Sequence, residues 1–186
     1  ERTKKPLSML LLDIDHFKSV NDNWGHLMGD KVLKRVAKIV KAEVRDKDSV
    51  IRTGGEEFVV LLPDTDAENA VLTAERLRIA IESFSHPSVG KVTASFGVAE
   101  KRKEDNRLTW YKRVDDALYH AKETGRNRVF NADDLDKKIP LATVQIEWKS
   151  EWESGNQKID KQHRELVNFG NELIFDVFSD ETKKKI

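Results

Sequence analysis

Hydrophobic positions along the chain switch between two spacings. Residues 7–12 form an apolar run of strand length, interrupted only by Ser8, and Asp13-Ile14-Asp15 closes it with carboxylates. Beyond Asp30, Val32, Leu33, Val36, Ala37, Val40 and Val44 recur at helical spacing. Residues 50–52 and 58–62 flank Gly54-Gly55 as a pair of strands. Apolar residues at 67, 70, 71, 74, 77, 81 and 84 then predict a second helix, and residues 92–98 alternate like a half-buried strand. The order βαββαβ predicts an α+β fold. It is the split βαβ arrangement: an antiparallel sheet covered by helices on one face, extended by a helix near 110–122 and a short strand near 127–130.

Composition narrows the class without naming a function. The 186 residues include 33 Lys and Arg against 33 Asp and Glu, so the net charge is zero, which argues against a general nucleic-acid or membrane surface. Any phosphate ligand must be bound locally. Hydrophobic residues make up 38% of the chain, enough for a globular core. The absence of cysteine excludes disulfides and thiolate metal sites. No apolar run reaches the length of a membrane span or a signal core, so a cytoplasmic protein is expected.

Candidate chemistry concentrates at two strand ends. In Arg52-Thr53-Gly54-Gly55-Glu56-Glu57-Phe58, two adjacent carboxylates sit on a glycine turn, where backbone can approach a phosphate or cation closely. Asp13-Ile14-Asp15 places further carboxylates at the end of a buried strand. Side by side, the two ends can share a divalent ion through hard oxygen ligands. Between them, His16-Phe17-Lys18, Asn21-Asp22 and Gly25-His26-Leu27-Met28-Gly29-Asp30 read as a compact segment ahead of the long helix. Lys122 and Arg126 are four residues apart near a helix end closed by Gly125, so one helical face can present both cations to an anion or simply cap the helix.

These motifs, with Ala121-Lys122-Glu123-Thr124-Gly125-Arg126-Asn127, resemble in content and order the GGDEF family of diguanylate cyclases over residues 5–131. The plan also resembles polymerase palms. Glu56 stands where the family name has Asp, which keeps charge and ligand type. The resemblance implies condensation of two GTP into cyclic di-GMP and two pyrophosphates in a symmetric homodimer, dependent on Mg²⁺ or Mn²⁺. Asp13, Ile14, Glu56 and Glu57 would hold the metal, and Glu56, Lys122 and Arg126 would be catalytic. Phe17, Lys18, Asn21, His26, Asp30, Gly54 and Gly55 would bind substrate. Within that set, backbone amides at Phe17 and Lys18 would hold phosphate, Asn21 and Asp30 would read the guanine edge, and His26 would be a structural hydrogen-bonder in the same loop. The alternative is a domain that binds GTP or cyclic di-GMP without turnover. Retention of Asp13, Glu56 and Glu57 argues against it.

Two further features complete the reading. Arg45-Asp46-Lys47-Asp48, an RxxD motif ahead of the hairpin, resembles the family's product-inhibition site, with Arg76 assisting. Beyond residue 131 the character changes. Residues 132–145 are expected as a linker, and 146–186 resemble the truncated start of a bacterial hemerythrin-like domain. His163, on a face with Ile159, Leu166, Val167, Gly170, Leu173, Ile174 and Val177, would be its iron ligand; no histidine follows it, so no iron is expected in this fragment.

Overall fold

A computed structural model describes residues 5–137, 148–149 and 152–183. The chain divides into two compact units, Glu1–Leu135 and Asp136–Ile186.

Strand β1 (Leu7–Ile14) is the centre of the first unit. From Ser8 onward all its residues are buried, because the sheet has side chains packed on both faces. Leu10, Leu12 and Ile14 enter one hydrophobic cluster, and the alternate residues Met9 and Leu11 enter the other. On the first face lie α1 (Phe17–Trp24), α2 (His26–Glu43) and, after the hairpin β2 (Ser49–Gly54) and β3 (Glu57–Pro63), α3 (Ala67–Ser83). A small hairpin, β4 (Ser85–His86) with β5 (Gly90–Lys91), leads to β6 (Ala94–Glu100). On the second face lie α4 (Arg107–Glu123) and, after β7 (Val129–Asn131), α5 (Ala132–Lys137). The five-stranded sheet has the order β2-β3-β1-β6-β7.

Four expectations are corrected. The sheet is mixed, because β7 pairs parallel with β6 after α4 crosses over between them. Helices cover both faces for the same reason. Residues 17–30, read as a loop, are helical apart from Gly25, whose φ of 78° divides α1 from α2. Alpha1 is eight residues long and rich in Asn and Asp, so its pattern is weak; burial of Phe17 and Val20 stabilises it. Finally, the start of the expected linker belongs to the first unit, where Ala132 and Leu135 pack in the second hydrophobic cluster.

Gly97 decides how closely α4 approaches the sheet. A Cβ there would lie 2.1 Å from the Val114 carbonyl oxygen and 2.6 Å from the Leu118 nitrogen, so only glycine lets the helix backbone rest on β6. A capping box between Asn106 and Thr109 fixes the start of α4, and its last turn carries Lys122. Close packing at mid-helix thus delivers a cation to the end of the sheet.

In the second unit, α6 (Gln157–Lys183) follows Trp148 and Trp152, whose rings meet edge to face 5.9 Å apart. His163 stacks at a tilt on Trp148, 6.3 Å between centroids. The face expected to be packed is open: Leu166 is 69% exposed, and His163 and Ile159 are exposed or nearly so. Side chains beyond Glu172, including Leu173, Ile174 and Val177, lie outside the described residues. No described helix is long and apolar enough to cross a membrane.

Candidate active site

The β1–β3 register sets Asp13 directly opposite Glu57, while Glu56 occupies the tight turn after Gly55, which has φ 44°. Like charges opposite one another across a ladder repel. Asp13 is buried, and its carboxyl is pushed above the usual range first by desolvation and further by Glu56 and Glu57; Lys122 opposes the rise. The Lys122 ammonium reaches Asp13 Oδ2 at 2.8 Å. Asp13 thus feels two neighbouring carboxylates and one ammonium at the end of the sheet.

That excess of negative charge is what a divalent cation fits, and the donors are hard oxygens. Among the described residues no three acidic or histidine side chains are already gathered around one point as ligands. Asp13 is instead ion-paired with Lys122. Ile14 ends β1 with its side chain in the core, so only its backbone oxygen is available as a ligand.

Arg52 supports the turn. Its Nε and Nη2 donate to the Gly55 carbonyl oxygen at 3.0 and 2.7 Å, and a β-bulge between Arg52 and Gly54 bends the strand into the hairpin. Arg52 also lines a pocket of about 450 Å³ with Asp30, Leu33, Lys34, Ala37, Val50 and Phe58. The pocket is apolar at its base and carries a carboxylate at its rim, dimensions and chemistry suited to a purine. Asp30 lies inside α2 rather than at its N-cap. Asn21 projects from α1 onto Gly29 of α2: a Cβ on Gly29 would sit 2.0 Å from Asn21 Oδ1 and 3.1 Å from the Phe17 ring. Glycine at 29 therefore creates the slot that holds Asn21.

The remaining expected residues are placed as follows. Phe17 is buried in the core, so only its main chain can serve a ligand. His16 has φ 56° and makes no side-chain cap on α1, so among the described residues no cap occupies the first amides of that helix, at Phe17 and Lys18, where an anion can bind. Lys18 and His26 are exposed, and neither has a hydrogen bond or ion pair among the described residues, so His26 is not the structural hydrogen-bonder expected. Gly54 ends β2 next to Gly55. Lys122 and Arg126 do not share a helical face: α4 ends at Glu123, and Arg126 stands in a left-handed turn with φ 57°. No described group pairs with the Arg126 guanidinium.

At the RxxD turn, the Arg45 amide donates to Asp48 Oδ2 at 2.8 Å and the Asp48 amide donates back to the Arg45 carbonyl at 2.9 Å. Asp48 is buried with Oδ1 unbonded, while the Arg45 side chain is exposed. Arg76, 33 residues from Glu43, holds its carbonyl at 2.8 Å and its carboxylate at 3.3 Å, tying α3 to the end of α2.

Known proteins resemble this chain in sequence and in fold. The model of the family described as "Diguanylate cyclase, GGDEF domain" matches residues 1–128. "Probable diguanylate cyclase DgcT" of Escherichia coli K12 is 46% identical over 132 residues, covering 68% of this chain but 29% of the relative. The active GGEEF domain of a diguanylate cyclase from Vibrio cholerae superposes with a TM-score of 0.67 at 36% identity, covering 70% of this chain and 85% of that one. The GGDEF domain of DgcB from Caulobacter crescentus, solved in complex with c-di-GMP, gives a TM-score of 0.65 at 36% identity, covering 69% and 78%.

Proposed function

The chain belongs to the GGDEF family of diguanylate cyclases, and on that premise we propose that it condenses two GTP into cyclic di-GMP and two pyrophosphates. The observation that supports this most directly is the pairing of Asp13 with Glu57 across the ladder, with Glu56 on the adjoining turn and Lys122 ion-paired to Asp13. The purine pocket beside that turn supplies the place for a base.

In this reading Asp30 and Asn21 accept from and donate to the guanine edge, and adenine would leave them unpaired. The free amides at Phe17 and Lys18 and the side chains of Lys122 and Arg126 hold phosphate oxygens. Asp13, Ile14, Glu56 and Glu57 would hold Mg²⁺ or Mn²⁺. Such a cation neutralises charge that builds on the α-phosphate and the departing pyrophosphate. The 3′-hydroxyl oxygen of one GTP attacks the α-phosphorus of the other, the bond to the bridging oxygen of the β-phosphate breaks, and the hydroxyl proton passes to Glu56. One chain binds one GTP, so the cyclic product requires two chains meeting face to face with each substrate attacking the other. Arg45, whose side chain is exposed at the turn that the buried Asp48 closes, offers a cation to the product, and Arg76 would join it on leaving Glu43.

Incubation with GTP and Mg²⁺, followed by chromatography, is expected to give cyclic di-GMP and pyrophosphate. The rate should rise more than linearly with protein concentration, and ATP should yield nothing. Retention of GTP or cyclic di-GMP without turnover would replace this reading with that of a receptor. Residues 146–186 are proposed, from the sequence resemblance alone, as the opening of a hemerythrin-like domain.

A further inference from the structure

Asp15, two residues beyond Asp13, is a buried carboxylate whose surroundings differ completely from those of its neighbour. It accepts from Thr93 Oγ1 and Ser95 Oγ, each at 2.7 Å, and from the backbone amide of Asn127 at 3.0 Å. Both ends of the Asn127 side-chain amide are bonded as well. Its Nδ2 donates to Glu82 Oε1 at 3.0 Å, and its Oδ1 accepts from Arg78 Nη1 at 3.0 Å. Arg78 also holds Glu75 and Glu82, at 2.8 and 2.9 Å.

The network surrounds an improbable piece of backbone. Gly125, Arg126 and Asn127 have φ of 120°, 57° and 47°, so two consecutive side-chain-bearing residues lie in the left-handed region. Asparagine tolerates that region better than most residues, and arginine does not. Such a conformation persists only where its surroundings over-determine it. Here the Arg126 amide donates to the Ala121 carbonyl at 3.0 Å, its carbonyl accepts from Arg128 Nε at 3.0 Å, and the next residue is locked on three sides.

We infer that Asn127 is a positioning residue, held by Asp15, Glu82 and Arg78 so that its neighbour Arg126 leaves the main chain in the one direction that presents an unpaired guanidinium to the triphosphate. The inference rests on the phosphate-binding role of Arg126 proposed above. The amide is required chemically, because Glu82 needs a donor and Arg78 an acceptor from the same side chain. Aspartate would satisfy Arg78 and repel Glu82.

The test measures binding of a non-hydrolysable GTP analogue with Mg²⁺ by calorimetry, together with thermal unfolding, in the whole chain. Arg126→Ala and Asn127→Asp should each weaken the analogue about tenfold, and Asn127→Asp should add less than twofold in the Arg126→Ala background. Glu82→Ala, at a half-exposed helix position that leaves the turn's covalent chemistry untouched, should weaken binding three- to tenfold, and Glu82→Gln, which keeps an acceptor, less than twofold. If Arg126→Ala binds the analogue normally, the phosphate role fails and the positioning role falls with it. If Arg126→Ala weakens binding but Asn127→Asp or Glu82→Ala lowers only the melting temperature, or if the two substitutions multiply independently, Asn127 is purely structural and the inference is overturned.

Discussion

Asp13 and Asp15 sit at the same end of β1, both almost wholly buried, yet one is left short of partners and the other is saturated. Asp15 accepts from two hydroxyls and an amide, and these partners link β1, the strand β6 with the segment before it, and the turn after α4. Asp13 faces Glu57 across the ladder, has Glu56 nearby, and meets a single ammonium. A saturated buried carboxylate stabilises a fold, because each hydrogen bond offsets its desolvation. An under-neutralised one destabilises the free protein and is stabilised by a ligand that brings positive charge. The difference marks which end group belongs to the scaffold and which to the chemistry.

The sharpest way to break the contrast is Asp13→Asn. Turnover of GTP should fall by about 100-fold or more, beyond the loss typical of outer-shell partners of a metal, while the protein remains folded; wild-type turnover in this variant would remove Asp13 from the site. Asp15→Ala should do the reverse, lowering stability by about 3 kcal/mol in urea unfolding through three orphaned donors. Gly97→Ala should cost a similar amount, about 2–3 kcal/mol, since the new methyl meets α4 backbone, and should weaken GTP binding as Lys122 is pushed from Asp13. Unchanged unfolding of either variant would show that the scaffold half of the comparison is misassigned.

Smaller effects sharpen the contrast. Gly29→Ala gains about 1 kcal/mol in helix propensity but displaces Asn21, so selectivity for GTP over ATP should fall about tenfold with stability near wild type. Asp13 also predicts a pH dependence. Its folded-state pKa is raised above the ordinary 3.8, so the folded form binds the proton more tightly than the unfolded form. The stabilising contribution is complete below about 3.8 and is lost as pH rises through the raised value. Asp13→Asn removes that loss, so its stability advantage over the wild type, measured by urea midpoints without metal, should be larger at pH 7 than at pH 4. An equal difference at both values would mean that Asp13 is not desolvated.

Several of these residues were legible from pattern alone. The β1 run with its terminal acids, the Gly54-Gly55 turn with its two glutamates, and the periodic faces of α2 and α3 carry their spacing in consecutive residues. Arg52 was adjacent to the turn and could have been suspected from that position; nothing local says that it grips Gly55. Gly29 reads as an unfavourable helix residue until Asn21 is seen to fill the place of its missing side chain. Asn127 had a faint signal, as one of the few residue types at ease with positive φ, directly after Gly125 and Arg126.

The sequence by itself determined the order of the main strands and helices, the strand ends that carry carboxylates and the family, because periodicity, turn chemistry and motif order are local properties of the chain. Tertiary structure alone decided that α1 is a helix, that β7 makes the sheet mixed and that α4 covers the second face. It also decided that Lys122 meets Asp13 while Asn127, 112 residues away in sequence, closes on Asp15. Such pairings follow from register and from the closeness of packing at Gly97, and a hydrogen bond or ion pair between distant residues leaves no periodic trace in the chain that forms it.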